Sequence, residues 1–378
     1  MWRRHSCRPR PDSSGRLPAV LQSASRGVGT RQTESLTESP RHISGCEDRR
    51  ASAPRYHTPM LSWLVVGVGD ITRKRVLPAI LAEPRSRLAG IVTRDPAKAE
   101  PYGVPSWGDL AAALAACDAT AVYIATPVFM HAAQTVAALH GGRHVLCEKP
   151  MALNYAEALA MQRASEETRR TLGIAYYRRM YPKVDRARRL IEAGAIGRPV
   201  FAEATSHDWF NPLGTTRAWL ADPKQSGGGP LRDIGSHRID LMNYLFGKPI
   251  NAIGHLSTLV QPLEVEDNAT VIIEYEGGVR GVVDVRWHSR VVRDEFRVRG
   301  TAGEIDLSPL NGPELVHPGG RESIAVPANL HYPCIEDFVG SILRGILPRS
   351  YGVSALAAEW VMEQVGPQWR KDEPYDTT

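Results

Sequence analysis

Lys149 occupies a position where a charge needs a reason. In HVLCEKP, residues 144–150, an apolar stretch that reads as a buried strand ends in Glu148, Lys149 and Pro150. A charge at the end of a buried strand is unfavourable unless something pairs with it. Pro150 fixes its own φ and restricts the residue before it, so the Lys149 side chain is aimed as the chain turns. An ammonium held this way can stabilise negative charge developing on a substrate oxygen. A second chemical pair lies in GGGPLRDIGSHRIDLMNYLFG, residues 227–247. Asp233 and His237 are four apart, which predicts one face of a helix, with Asp240 three further on. A carboxylate and an imidazole one turn apart can form an acid–base unit, the carboxylate favouring the imidazolium. Taken alone, the pair is better read as a helix-capping Asp233 and a satisfied buried His237.

Elements must deliver these groups to one place. LSWLVVG, residues 61–67, is an apolar strand running into Gly67-Val68-Gly69-Asp70-Ile71-Thr72 and then an amphipathic helix over 73–81. Further strands are predicted at 88–93, 121–125 and 145–147, and helices at 97–100, 109–116, 130–139 and 155–168. Strands alternating with helices predict a parallel, doubly wound α/β sheet, with ligands at the strands' carboxyl ends. The loop supplies the first two glycines of G-x-G-x-x-G, and Thr72 takes the third place. Directly after a first strand, this spacing predicts a dinucleotide phosphate cradle built from Gly67, Gly69, Asp70, Ile71 and Thr72. At the end of the second strand stands Thr93-Arg94-Asp95 in place of a lone acidic residue. Thr93 and Arg94 can bind a ribose phosphate, which favours NADP over NAD; the plainer alternative is a solvated Arg94 beside a helix-capping Asp95.

The second half changes pattern. A helix within 179–197 is followed by strands at 200–206, 252–260 and 270–276, then Gly277-Gly278 as a two-residue hairpin turn. The return strand puts Val279, Gly281, Val283, Val285 and Trp287 on one face and Arg280, Asp284 and Arg286 on the other. Strands at 296–299 and 304–307 and helices at 332–343 and 354–365 complete it. This predicts an α+β region with an open, mostly antiparallel sheet, one face of which is covered. The expected organisation is an extension over 1–59, a nucleotide-binding region over 60–178 and a substrate and oligomerisation region over 179–378, with the final helices packing back on the first sheet.

Composition narrows the partners. The chain is 43% hydrophobic and 23% charged, ordinary for a globular protein of 378 residues. The formal charge of +5 comes from the first 59 residues, which are rich in Arg, Ser and Pro. The remainder is electrically balanced, which argues against nucleic acid, and no apolar run is long enough to span a membrane. Residues 1–59 are expected to be disordered or spurious, with Met60 as the start of the folded chain. The odd number of cysteines follows no disulfide or zinc spacing, which fits a reducing cytoplasm and calls for no metal.

The set of motifs resembles the Gfo/Idh/MocA family, named for glucose–fructose oxidoreductase and inositol dehydrogenase. The resemblance rests on Gly67-Val68-Gly69, Ala125-Thr126-Pro127 with His131, Glu148-Lys149-Pro150, Arg179 with Pro182, Gly194 to Gly197, and Asp233-x-Gly-x-His237-x-x-Asp240, in that order over roughly residues 61–367. Departures are Thr72 for the third glycine and Met180 where an aromatic often follows the arginine. The resemblance implies an NAD(P)-dependent oxidoreductase acting on a sugar, cyclitol or related polyol, and self-association through the open sheet. It implies Lys149 at the substrate hydroxyl and nicotinamide ribose, with Asp233 and His237 across the substrate and His237 moving the proton. Thr126, Pro127, His131 and Glu148 would line the cofactor. Arg179 would meet substrate or cofactor, or make a structural ion pair, and Trp209 would offer a sugar platform or pack between domains. The alternatives are a nucleotide-binding sensor or regulator of the same family, and a redox-assisted sugar lyase. A sensor has no need to keep Lys149, Asp233 and His237 together.

Overall fold

The computed structural model describes residues 59–366. The expectations for the N-terminal extension fall outside those residues, Pro59 apart. Strand β1 (Leu61–Val66) is buried along its whole length, as a central strand covered on both faces must be. With β2 (Ser86–Val92), β3 (Ser106–Trp107), β4 (Ala121–Ile124), β5 (His144–Cys147) and β6 (Leu172–Ile174) it forms a parallel sheet of order β3-β2-β1-β4-β5-β6. The order reverses between β1 and β4, so the ends of those strands open a crevice.

The helices are α1 (Leu77–Ala82), α2 (Leu110–Ala116), α3 (His131–His140), α4 (Tyr155–Thr168), α5 (Pro182–Glu192), the short α6 (Pro223–Ser226), α7 (Ser236–Phe246), α8 (Tyr332–Arg344) and α9 (Gly352–Val365). Asp109 and Asn154 cap α2 and α4 by accepting from Ala112 N and Glu157 N, each at 2.9 Å. The helix expected over 73–81 divides: a π turn (Thr72–Val76) precedes α1. Pro78, in the first turn of α1, has no N–H to continue an α ladder back to residue 74. The short helix expected over 97–100 is instead two 3₁₀ turns, Pro96–Lys98 and Glu100–Tyr102, and no side-chain bond from Asp95 caps the first.

The second sheet contains β7 (Pro199–Trp209), β8 (Pro249–Ser257), β9 (Asn268–Tyr275), β10 (Arg280–Arg286), β11 (His288–Gly300), β12 (Gly303–Asp306), β13 (Glu314–His317) and β14 (Gly320–Ser323). Its order is β14-β13-β12-β11-β7-β10-β9-β8. Only the β7–β10 pairing is parallel among them. Val279, Gly281, Val283, Val285 and Trp287 are the buried set, as their alternation predicts. The Gly277-Gly278 turn is not the expected two-residue hairpin. Tyr275 N bonds Val279 O at 3.0 Å, leaving three residues in the loop, and Gly278 adopts φ +79°. A three-residue loop needs that left-handed residue, which Gly supplies without strain.

The last two helices close the first sheet. Phe338 of α8 sets its ring 5.5 Å from that of Trp63 in β1. Ile174 N in β6 bonds Ser350 O at 2.9 Å, and Met151 N bonds Glu359 Oε1 of α9 at 2.7 Å. Both helices therefore brace the strand ends that carry the charged motif.

Candidate functional site

Five loops leave the carboxyl ends of the parallel strands and meet at the crevice. The first carries Gly67, whose φ is +90°. A Cβ there would lie 2.7 Å from Ala125 O at the end of β4, so only glycine lets the two strand ends approach this closely. Gly69 is different: a Cβ there would meet no protein atom within 4 Å. The space over Gly69 is open. Thr72 is buried, and its Oγ1 has no partner among the described residues. A bare backbone, a helical turn opening from it and an orphaned hydroxyl fit a dinucleotide's pyrophosphate. At the end of β2, Thr93 Oγ1 is bonded to the backbone of Asp95 at 3.2 Å, and Arg94 is exposed with no ion pair among the described residues.

The end of β5 is built in two layers. Glu148, expected to line the cofactor, is largely buried. Its carboxylate turns inward, accepting from Tyr123 OH at 2.7 Å and meeting His331 Nε2 at 3.2 Å. Burial raises its pKa, but His331, Tyr123 and the Lys149 charge outweigh that and hold the carboxyl below its usual range. His131 is also a brace rather than a cofactor contact. It is buried, with Nδ1 3.0 Å from Pro150 O and Nε2 3.0 Å from Thr126 O, joining the ends of β4 and β5. Thr126 spends its hydroxyl on Gln134 at 2.8 Å. What this scaffold presents outward is Lys149, 15% exposed at its side chain.

Lys149 reaches across to the second region. Its Nζ donates to Asp233 O at 2.6 Å and to Asp233 Oδ1 at 3.1 Å. Arg217 Nη2 holds the other carboxylate oxygen at 2.7 Å. Burial raises the Asp233 pKa, but the two cations outweigh it and keep the group ionised. The expected Asp233–His237 dyad is absent from the described contacts. The segment passes through a π turn (Leu231–Gly235) before α7, and the carboxylate is drawn to Lys149 and Arg217 instead. It does not favour an imidazolium either. Burial, then Lys149, Arg178, Arg238 and His331, push the His237 pKa well below 6.5.

His237 is nevertheless in the site. The ring is 2% exposed and meets Tyr177 edge-on at 4.9 Å between centroids and Tyr176 at 5.9 Å. Among the described residues Nδ1 is sealed without a partner, whereas Nε2 is neither sealed nor bonded. The result is a neutral imidazole with one available ring nitrogen beside an ammonium already oriented by a carboxylate. Such a pair can take a proton from an alcohol while stabilising the oxygen it leaves.

Arg179 does not reach this site. It is buried, paired through Nε and Nη2 with Asp240, and its remaining donors go to Arg349 O and Ser354. With every nitrogen engaged, it ties α7 to α9 and has nothing to offer a substrate. Trp209 is 42% exposed at the end of β7 with Arg290 over its ring at 4.1 Å, so it is not packed between domains. No described contact joins it to Lys149, Asp233 or His237. The residues that sequence reasoning left out are Tyr123, Tyr177 and Arg217. His331 lies just before α8, 183 positions from its partner Glu148, and no local pattern connects them.

Comparison with known proteins fits this geometry. Residues 61–176 match the model of an oxidoreductase family with an NAD-binding Rossmann fold, and residues 184–306 match the GFO/IDH/MocA C-terminal domain. Oxidoreductase P35 of Formosa agariphila is 30% identical over 294 residues, covering 75% of this chain and 91% of that protein. The 1,5-anhydro-D-fructose reductase of Ensifer adhaerens is 27% identical, covering 75% and 88%. The solved structure of levoglucosan dehydrogenase with NADH and levoglucosan superposes with a TM-score of 0.73 at 25% identity, covering 81% of this chain and 96% of that one. The chain belongs to the GFO/IDH/MocA family of oxidoreductases and carries that family's NAD-binding Rossmann fold.

Proposed function

We propose that the protein moves a hydride between NADP or NAD and a secondary alcohol or carbonyl of a sugar, cyclitol or related polyol. The observation that carries this reading is the pairing of Lys149, held by Asp233, with a neutral His237 whose Nε2 has no partner. The cofactor, when bound, supplies the hydride chemistry. The chain's own residues do the rest. Nε2 of His237 accepts the hydroxyl proton as the alcohol is oxidised, at a separation of about 2.6–3.2 Å. The Lys149 ammonium stabilises the developing alkoxide, and Asp233 keeps that ammonium oriented. In reduction the same two groups polarise the carbonyl and return the proton. Relatives named for 1,5-anhydro-D-fructose and levoglucosan support the substrate class. A panel of sugars and polyols with NADP and NAD, followed by nicotinamide absorbance, tests it. No absorbance change with any member overturns it.

NADP is the preferred cofactor in this reading, because Arg94 is exposed and unpaired at the end of β2. A ribose phosphate would give it a charge-assisted partner, worth roughly 10-fold to 100-fold in affinity. Arg94→Ala is expected to raise KM for NADP by that factor and to leave KM for NAD within about 2-fold, since NAD offers no such partner. Equal losses for both cofactors would overturn the assignment.

The open face of the second sheet serves self-association. Ile253 is 59% exposed there on edge strand β8, and towards the middle of the sheet Glu203 of β7 meets Arg297 and Arg299 of β11. Light scattering is expected to give a mass above one chain, and Ile253→Arg is expected to lower it. A monomeric wild type would remove the proposal. No helix among the described residues is long and apolar enough to cross a membrane. The buried free thiols of Cys117, Cys147 and Cys334 support a reducing, cytoplasmic setting, which cell fractionation checks.

A further inference from the structure

Around Arg238 the molecule buries three cations, and one of them, Arg178, has no carboxylate hydrogen-bonded to it among the described residues. Arg178 follows β6, at the ligand edge of the first sheet, and is 5% exposed. Its Nη1 donates to Asn311 Oδ1, its Nε is sealed without an acceptor, and its Nη2 is neither sealed nor bonded. Arg238, next to His237 on α7, is 1% exposed; one nitrogen meets Asp294, while Nε and Nη1 are sealed without acceptors. Lys183 is buried against the carbonyls of Leu307 and Pro309 at 2.8 and 2.7 Å. Among the described residues, one carboxylate, Asp294, is hydrogen-bonded within this group, and its second oxygen already accepts twice from Asn311 at 3.0 Å.

The titration of these groups agrees with the geometry. Burial lowers Lys183 to about 8, and burial with the neighbouring Arg178 lowers Arg238 to about 10. A buried cation with no hydrogen-bonded carboxylate is unfavourable, and Nη2 is the donor through which a partner could complete Arg178. A neutral polyol offers hydroxyl acceptors but no charge. A guanidinium nitrogen open to a ligand, as Nη2 of Arg178 is, suits an oxygen of an oxyanion. Arg178 also stands beside Tyr177, with its guanidinium carbon 5.5 Å from the ring centroid, and Tyr177 in turn meets His237. An oxyanion on Arg178 would therefore sit one side chain away from the proton-accepting nitrogen.

We propose that the substrate is an acidic sugar or polyol, whose carboxylate or phosphate is seated on Arg178 while His237 and Lys149 act on a hydroxyl. This rests on the hydride-transfer reading above. Arg238 and Lys183 contribute field rather than contact.

The test compares a neutral hexose with its uronate and its phosphate monoester, each with saturating NADP and NAD. The wild type is expected to favour an anionic member by at least about 10-fold in kcat/KM. The better of the two identifies the oxyanion. Arg178→Gln is expected to reduce the anionic-to-neutral ratio to about one, with Arg178→Lys recovering part of it. Thermal unfolding of the wild type with each compound is an independent readout, expected to rise with the preferred acid and not with the hexose. Turnover of the neutral hexose with no preference, or a ratio unmoved in Arg178→Gln, overturns this inference and leaves the parent reading intact. No turnover with any compound overturns the parent reading, and the unfolding shift then decides whether an oxyanion seat exists.

Discussion

Lys149→Met is expected to lower kcat roughly 10²–10³-fold, the loss typical when one preorganised donor is removed from a developing oxyanion. The substitution keeps most of the side chain's volume, so the strand end stays filled. Its effect on Asp233 is limited, because Arg217 Nη2 remains on Oδ2 at 2.7 Å and keeps the carboxylate paired. Nucleotide affinity, measured by fluorescence titration, is expected to stay within a few-fold of wild type. The glycine loop and Thr93-Arg94, which carry the proposed phosphate contacts, are untouched. A kcat within 3-fold of wild type would remove Lys149 from the chemistry. A large loss of nucleotide affinity with little further loss in kcat would recast it as a cofactor anchor.

His237→Asn is expected to cost about 10²–10⁴ in the oxidation direction, the range for a lost proton acceptor. The pH profile separates this role from a packing role. In the free protein, burial and the charges of Lys149, Arg178, Arg238 and His331 hold the imidazole pKa well below 6.5. The ring is therefore neutral and able to accept a proton at pH 7. With rising pH nothing is lost at this group, whereas falling pH protonates it. The kcat/KM for oxidation should thus stay level through neutrality and decline only below pH 6.5 as the proton-accepting form disappears. In His237→Asn that acid limb should vanish along with most of the rate. An acid limb that persists unchanged would assign the proton to another group. If an oxyanion sits on Arg178, it offsets part of the positive charge acting on His237. The limb for kcat, which reports the bound complex, should then lie at higher pH than the limb for kcat/KM.

Much of this arrangement was legible in the residues. The uninterrupted apolar run of β1, the two glycines after it and the alternation along β10 each impose one local geometry, and each appears where the pattern puts it. Lys149 stood out because a charge at a buried strand end has few plain explanations. What was illegible depended on contacts between distant parts of the chain. The four-residue spacing of Asp233 and His237 suggested a dyad, but spacing on a helix does not reveal a lysine arriving from another sheet, and that lysine takes the carboxylate. Glu148 and His131 sit inside motifs that look like cofactor contacts, yet they act from beneath. Nothing in a linear motif separates a side chain facing the cleft from one facing inward at the same strand end. Arg178 and Arg179 are adjacent and identical in type, and only the fold distinguishes the arginine consumed by Asp240 from the one left with free donors.

The bracing of the first sheet by the last two helices bears on how the protein is made. Trp63 of the opening strand lies against Phe338, the β6 edge is hydrogen-bonded by Ser350, and the turn carrying Lys149 is pinned at Met151 by Glu359. Each of these partners leaves the ribosome about 175 to 275 residues after the group it supports. The nucleotide-binding half therefore cannot reach its final packing while it is being synthesised. It waits, with an apolar flank uncovered, until the second half has been made, and the interval in which it is most open to chaperones and to aggregation is set by the length of that half.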